Sequence, residues 1–178
     1  MTATMKVADD IYMVPWSDGN GQIRREVWVD GEGRAARYTL VYINQDVLPE
    51  DEGRVLGYGM DNGALLLHRM GTVTTFEFSN LQEIEERFAI EWDLLPKQNE
   101  PLAGKTASTP AGGIMQETDA YAETKGMKLT ITKGNAADFF GRGRELARKL
   151  DRGERIDPEK VVIFGDRHDL CYSQMPKR

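Results

Sequence analysis

The stretch from Gln22 to Asn44, QIRREVWVDGEGRAARYTLVYIN, constrains the fold more than any other part of the chain. Two runs rich in β-branched and aromatic residues, 22–30 and 34–44, meet at Asp-Gly-Glu-Gly, and such a break between two runs marks a hairpin. In the second run Arg37, Thr39, Val41 and Ile43 alternate with Tyr38, Leu40 and Tyr42. That run is apolar on nearly both faces, which predicts a central strand. Further runs follow at RVLGYGM (54–60), ALLLHRM (64–70) and TVTTFEFS (72–79), separated by an acidic loop with Pro49 and Gly53 and by Gly71. Residues 11–78 therefore read as an antiparallel meander of about five strands.

A helix follows. Leu81, Ile84, Phe88, Trp92 and Leu95 recur at helical spacing and form one face. Ser79 with Gln82 matches a capping box, and Pro96 ends the helix. The glutamates of QEIEERF suit the positive end of the helix dipole and read as a solvated face. Residues 96–126 are rich in Pro, Gly, Ala, Ser and Thr without periodicity, as a linker would be. Order returns at 127. MKLTITKG is a short strand. Residues 135–154 form a helix capped by Asn135 and Asp138, with Phe139, Leu146 and Leu150 on its apolar face, Phe140 and Ala147 beside them, and Gly153 at its end. EKVVIFGD is a second strand, and RHDLCYSQM a closing turn or short helix. A β-α-β piece of this size is too small to bury a good core alone. It must dock on the first domain, on a partner, or on a copy of itself, and the strand at 127–132 suits a sheet edge. The expected fold is α+β: an antiparallel sheet of about five strands with one covering helix (1–95), a linker (96–126), and a small β-α-β arm (127–178), packed on the sheet or swapped. A linker of this length eases exchange between protomers and favours a homodimer.

Bulk properties exclude several classes. No run approaches the roughly 18 apolar residues of a membrane helix, and the N-terminus lacks the basic start and apolar core of a signal peptide. The single cysteine, Cys171, rules out an internal disulfide framework and fits a reducing, cytoplasmic setting. One cysteine and two distant histidines do not make a zinc site. No nucleotide loop or nucleophile elbow is present, and GRGREL lacks the strand–loop–helix context of a dinucleotide site, so no cofactor is expected. The net charge of −6 is unevenly spread. Residues 1–95 hold 8 Lys/Arg against 17 Asp/Glu, net −9, whereas residues 127–178 hold 12 against 8, net +4. The two ends attract each other, and the acidic half is a poor general nucleic-acid binder.

Residues 22–95 resemble the TumE-like toxin family of bacterial toxin–antitoxin pairs. The resemblance rests on the hairpin, on GRVLGYGMDNG, on a histidine-bearing segment, and on MGTVTTFEFSNLQEIEERF. Tyr58, Asp61 and Asn62 match the family's Tyr-Asp-Asn phrase, His68 and Arg69 match the end of its His/Arg-rich cluster, and Gly71, Phe76 and Phe78 match the strand after it. Where family members carry more histidine, this chain has Gly63 to Leu67, GALLL. The tail is similar to the N-terminal segment of the antitoxin encoded beside such toxins. The resembling phrase, FFxRxRxxARxLDRGExxxPExxxxF, covers Phe139, Phe140, Arg142, Arg144, Arg148, Arg152 and the residues between and beyond them to Phe164. The resemblance implies a toxin-like domain fused to the neutralising arm of its antitoxin, with Met127 as the relic of a separate start.

If the first domain is active, the resemblance points to a small ribonuclease or translation blocker. His68 would move protons and Arg69 would meet developing phosphate charge, with Asp61 orienting and Tyr58 as a second donor. Neighbours on a strand point to opposite faces, so His68 and Arg69 converge only at a bulge or strand end. A structural histidine closing an apolar strand is the plainer alternative. The arginines 142–155 read as a neutralising surface, as phosphate ligands, or as a solvated face with pairs such as Glu145–Lys149. Two functions stand: a fused toxin–antitoxin module, self-inhibited in cis or between two copies and acting on RNA or a host protein, and a non-catalytic phage or plasmid binding protein derived from one.

Overall fold

The structure, a computed structural model, describes residues 4–15, 18–61, 64–95, 129–156, 158 and 161–165. Eight strands form one sheet in the order β6-β5-β4-β3-β2-β1-β8-β7. The first six are a continuous antiparallel meander: β1 (Met5–Met13), β2 (Gln22–Val29), β3 (Ala35–Ile43), β4 (Arg54–Asp61), β5 (Ala64–Arg69) and β6 (Thr72–Thr75). Helix α1 spans Leu81–Leu94. The arm contributes β7 (Leu129–Lys133), α2 (Ala136–Asp151) and β8 (Val161–Gly165). The α+β class holds. The meander has six strands rather than about five, and the expected β-α-β arm adds two strands to the same sheet and lays its helix beside the first.

The hairpin forms where the sequence places it, and β3 is central. The Asp30 carboxylate accepts from the backbone N–H of Glu32 and of Arg34, both at 2.9 Å, and so organises the turn. The first strand is not evident from the sequence pattern. MKVADDIYM puts two aspartates in mid-strand, and both are fully buried. The strand survives because each aspartate meets cations from elsewhere in the fold.

The arm joins the sheet through its second strand. β8 pairs parallel to β1, with Ile11 opposite Ile163, and β7 lies outside it as the edge. The strand expected at 127–132 is thus the edge, but it reaches the meander only through β8. Parallel pairing needs a crossover, and α2 supplies it. Phe139, Phe140, Leu146, Ala147 and Leu150 of α2 share one buried cluster with Tyr12, Ile23, Phe88 and Trp92. Among the described residues, the buried side chains of the arm pack into the core of the first domain rather than into one of their own.

The helix caps differ partly from expectation. Asn80, not Ser79, caps α1, its side chain accepting from the N–H of Glu83 at 3.0 Å, while Glu83 accepts from the N–H of Ser79 at 2.7 Å. Asn135 and Asp138 form the predicted capping box on α2. Glu145 and Lys149 pair at 3.1 Å, and Gly153 adopts φ 69°, the left-handed residue that ends many helices. The linker at 96–126, Met127, Cys171 and the closing turn lie outside the described residues. Among the described residues, no helix is long and apolar enough to cross a membrane.

Candidate functional site

Of the four residues singled out for catalysis, Tyr58 and Arg69 lie on one face of the sheet and His68 on the other. Leu67 lies opposite Tyr58, and Leu56 opposite Arg69, all on the face that carries the helices. There the Tyr58 hydroxyl donates to Glu91 of α1 at 2.6 Å, and Arg69 stands 3.7 Å from the same carboxylate. Burial, and then Glu91, push the Tyr58 hydroxyl well above its ordinary pKa. Tyr58 also packs edge-on against Phe76 and Phe88. It is a buttress for α1.

His68 points the other way. It lies opposite Gly57, on the face of Val41 and Arg24, which carries neither helix. Its Nδ1 lies 3.5 Å from an Arg54 Nη and 3.9 Å from an Asp51 oxygen. Burial first, then the Arg54 guanidinium, lower its pKa below the ordinary histidine value, with Asp51 opposing them. The sheet itself therefore keeps His68 and Arg69 apart. The Asp61 backbone pairs with Arg37 and Ala64; its side chain is outside the described residues, as are Asn62 and Gly63.

A different constellation lies between sheet and helices. Arg25 (β2), fully buried, extends its guanidinium among Asp10 (β1), Tyr38 (β3) and Glu85 (α1). Its Nε and Nη2 donate to the two oxygens of Glu85 at 2.5 and 2.8 Å, and its Nη1 donates to Asp10 at 3.0 Å. The Tyr38 hydroxyl donates to Glu85 as well. Burial, and then the Glu85 carboxylate, hold Tyr38 well above the ordinary phenol value. Charges taken out of water this completely persist only when paired and hydrogen-bonded.

Helix α2 closes this centre. Nη2 of Arg25 also donates to the Phe139 carbonyl at 3.2 Å, and the guanidinium lies 4.1 Å from the centre of the Phe139 ring. Arg142 donates through Nε to Asp10 at 3.1 Å. Two cations, Arg25 and Arg142, thus meet two carboxylates, Asp10 and Glu85. Without α2 the cluster would carry one excess negative charge. Gly143 crosses directly above Arg25: a Cβ there would collide with the guanidinium and stand 2.5 Å from a Glu85 oxygen. Phe140 packs against Phe88 and Trp92, and Phe139 against Tyr12.

The arm arginines divide likewise. Arg142 enters the buried centre. Arg144, Arg148 and Arg152 are exposed. Arg148 and Arg152 line an open cleft of about 540 Å³ with Glu83 and Glu86, at the junction of the two helices. The sequence groups the glutamates of α1 on one solvated face. That holds for Glu86, which is exposed, and fails for Glu85, which is fully buried. A signal was present: Glu85 stands four residues after Leu81 and three before Phe88, on the apolar stripe itself. Arg25 falls likewise among Ile23, Val27 and Val29 on the inward face of β2. With α2 seated, both carboxylates of the centre are met by arginine donors. Among the described residues, no group of acidic, histidine or cysteine side chains could hold a metal ion. No protein-family model, curated protein or solved structure matches the chain.

Proposed function

We propose that the chain is a fused toxin–antitoxin-type protein, whose arm (127–178) neutralises the toxin-like domain (1–95), in cis or from a second copy. The observation that carries the reading is the seating of α2. Phe139, Phe140, Arg142 and Gly143 fill one aromatic and acidic groove between β1 and α1, and Asp151 closes the start of α1. A basic arm laid into an acidic domain is the electrostatic pattern that fusing an inhibitor to its target requires. The domain's target is RNA or a host protein of the translation machinery, in keeping with the resemblance of both halves.

A second reading is a non-catalytic binding protein derived from such a module. It is favoured by the placement of His68 and Arg69 on opposite faces, and by Leu67 packing against the core where the family carries polar residues.

The test is growth of bacteria on induction of four full-length chains: the natural sequence, Gly143→Leu, Gly141→Leu, and Gly143→Leu with His68→Ala and Arg69→Ala. A Cβ at 143 collides with Arg25, whereas one at 141 meets nothing within 4 Å. Arrest by Gly143→Leu alone, with Gly141→Leu harmless, supports a toxin held off by its arm. Relief by the added pair assigns the activity to His68 or Arg69. Normal growth with all four, with Gly143→Leu soluble and β-rich by circular dichroism, favours the binding protein.

A further inference from the structure

Arg25 is unusually immobile for an arginine. Three of its nitrogens are tied to Glu85, Asp10 and the Phe139 carbonyl, and one face of the guanidinium rests on the Phe139 ring. No part of its side chain reaches solvent. It cannot swing aside without leaving Glu85 and Asp10 buried and unpaired. The surface it offers to α2 is therefore fixed, and flat.

Only a glycine can cross that surface at the distance seen. At 143 a Cβ would overlap both partners of the Arg25–Glu85 pair. At Gly141, two residues away in the same helix, a Cβ would meet nothing within 4 Å. The chain thus spends two glycines in one helix, where each costs about 1 kcal/mol relative to alanine, and only one of them has a packing reason. The arm phrase that resembles the antitoxin family leaves position 143 open. What singles out glycine here is the groove, not the phrase.

We infer that Arg25 and Gly143 form a recognition pair by which the groove selects its occupant. It admits a polypeptide arm whose helix has glycine where it crosses Arg25, Phe-Phe four and three residues earlier, and arginine just before the glycine. The aromatic pair fills the space against Tyr12, Phe88 and Trp92, and the arginine meets Asp10. An otherwise similar arm with any side chain at the glycine position is rejected, because specificity is set by the clash as much as by the contacts. The inference rests on reading α2 as a docked inhibitory arm and names what such an arm must carry.

The experiment uses full-length protein as receptor. In the Gly143→Leu chain the tethered arm is displaced, which opens the groove to a fluorescein-labelled peptide of residues 127–165. Three peptides are compared by fluorescence anisotropy: the natural sequence, Gly141→Ala and Gly143→Ala. Alanine raises helix propensity equally at both positions, so any difference between the two comes from the groove. The natural and Gly141→Ala peptides should bind alike, and Gly143→Ala should bind at least about tenfold more weakly, the scale of an overpacked contact. Equal or tighter binding by Gly143→Ala overturns the recognition pair while leaving the arm reading intact. Should the Gly143→Leu chain fail to fold, a full-length Phe139→Ala/Phe140→Ala chain serves as receptor, since it loosens the arm without touching the groove walls. Binding by none of the peptides to a folded receptor overturns both the pair and the arm reading.

Discussion

Asp151, the last residue of α2, closes the first turn of α1. Its two carboxylate oxygens accept from the backbone N–H of Leu81 at 2.9 Å and of Gln82 at 3.2 Å. The start of a helix leaves N–H groups without partners inside the helix, and carries partial positive charge. Asn80 answers one of these N–H groups, at Glu83. Asp151 answers two others from 70 and 69 residues away in sequence. The helix that ends the first domain is therefore completed by the arm. Asp151→Ala should lower stability by about 1 kcal/mol, the usual worth of a helix cap. In a thermal melt that is a fall of roughly 2–4 °C. An unchanged midpoint would mean that water replaces the carboxylate at no cost.

The centre around Arg25 gives a sharper contrast. Arg25→Met leaves Glu85 buried without its cation and Asp10 with Arg142 alone. Removing one partner of a buried pair costs about 3–5 kcal/mol. Arg25→Met with Glu85→Gln removes both charges, and the glutamine still accepts from Tyr38. The double variant should therefore be more stable than Arg25→Met alone, by a margin that urea denaturation resolves. A double variant at or below the single would show that the loss comes from packing against Phe139 rather than from stranded charge.

How much of this was legible follows from where each partner lies. The hairpin and meander announce themselves because alternation and Asp-Gly chemistry are local. The helices announce themselves by spacing and by caps such as Asn135. β1 does not, because Asp9 and Asp10 belong in a strand only when Lys6 and Arg24 neutralise the first, and Arg25 and Arg142 the second. Arg142 stands 132 residues away from Asp10. Glu85 hid within a run of glutamates for the same reason, although its place on the apolar stripe was readable. The separation of His68 from Arg69 was readable too, from strand alternation alone. The insertion of β8 between β1 and β7 was not, since parallel pairing leaves no turn to read.

His68 supplies a pH-dependent prediction. Burial and Arg54 lower its pKa in the folded chain, while the unfolded chain keeps the ordinary value of about 6.5. As the pH falls, the unfolded state takes up the proton first. The stability tied to neutral His68 is thus fully present above about pH 6.5, and is lost as the pH drops through the lowered folded value. His68→Gln removes this term. The stability difference between the natural chain and His68→Gln, from urea melts, should shift against the natural chain between pH 7.5 and pH 5.5. A difference that stays constant, or moves the other way, would show that the folded-state pKa is not lowered.

The last prediction concerns whether His68 and Arg69 act together. Catalytic groups that work as a unit are strongly non-additive: removing the second costs little once the first is gone. Here the strand directs the two side chains to opposite faces, His68 towards Arg54 and Asp51, Arg69 towards Glu91. Side chains held apart with no shared partner contribute independently, within about 0.5 kcal/mol, and at these adjacent positions it is the opposite faces of the strand that supply the separation. His68→Ala and Arg69→Ala should therefore add in a urea-melt double-mutant cycle. In the Gly143→Leu chain, any growth arrest should depend on one of the two and survive loss of the other. Dependence on Arg69 would place the activity on the helix face, beside Tyr58 and Glu91. Dependence on His68 would place it on the face that neither helix covers, and any inhibition by α2 would then have to act by changing the domain rather than by blocking it. Arrest lost with either single substitution, together with a coupled cycle, would mean that β5 rearranges to bring both side chains to one site.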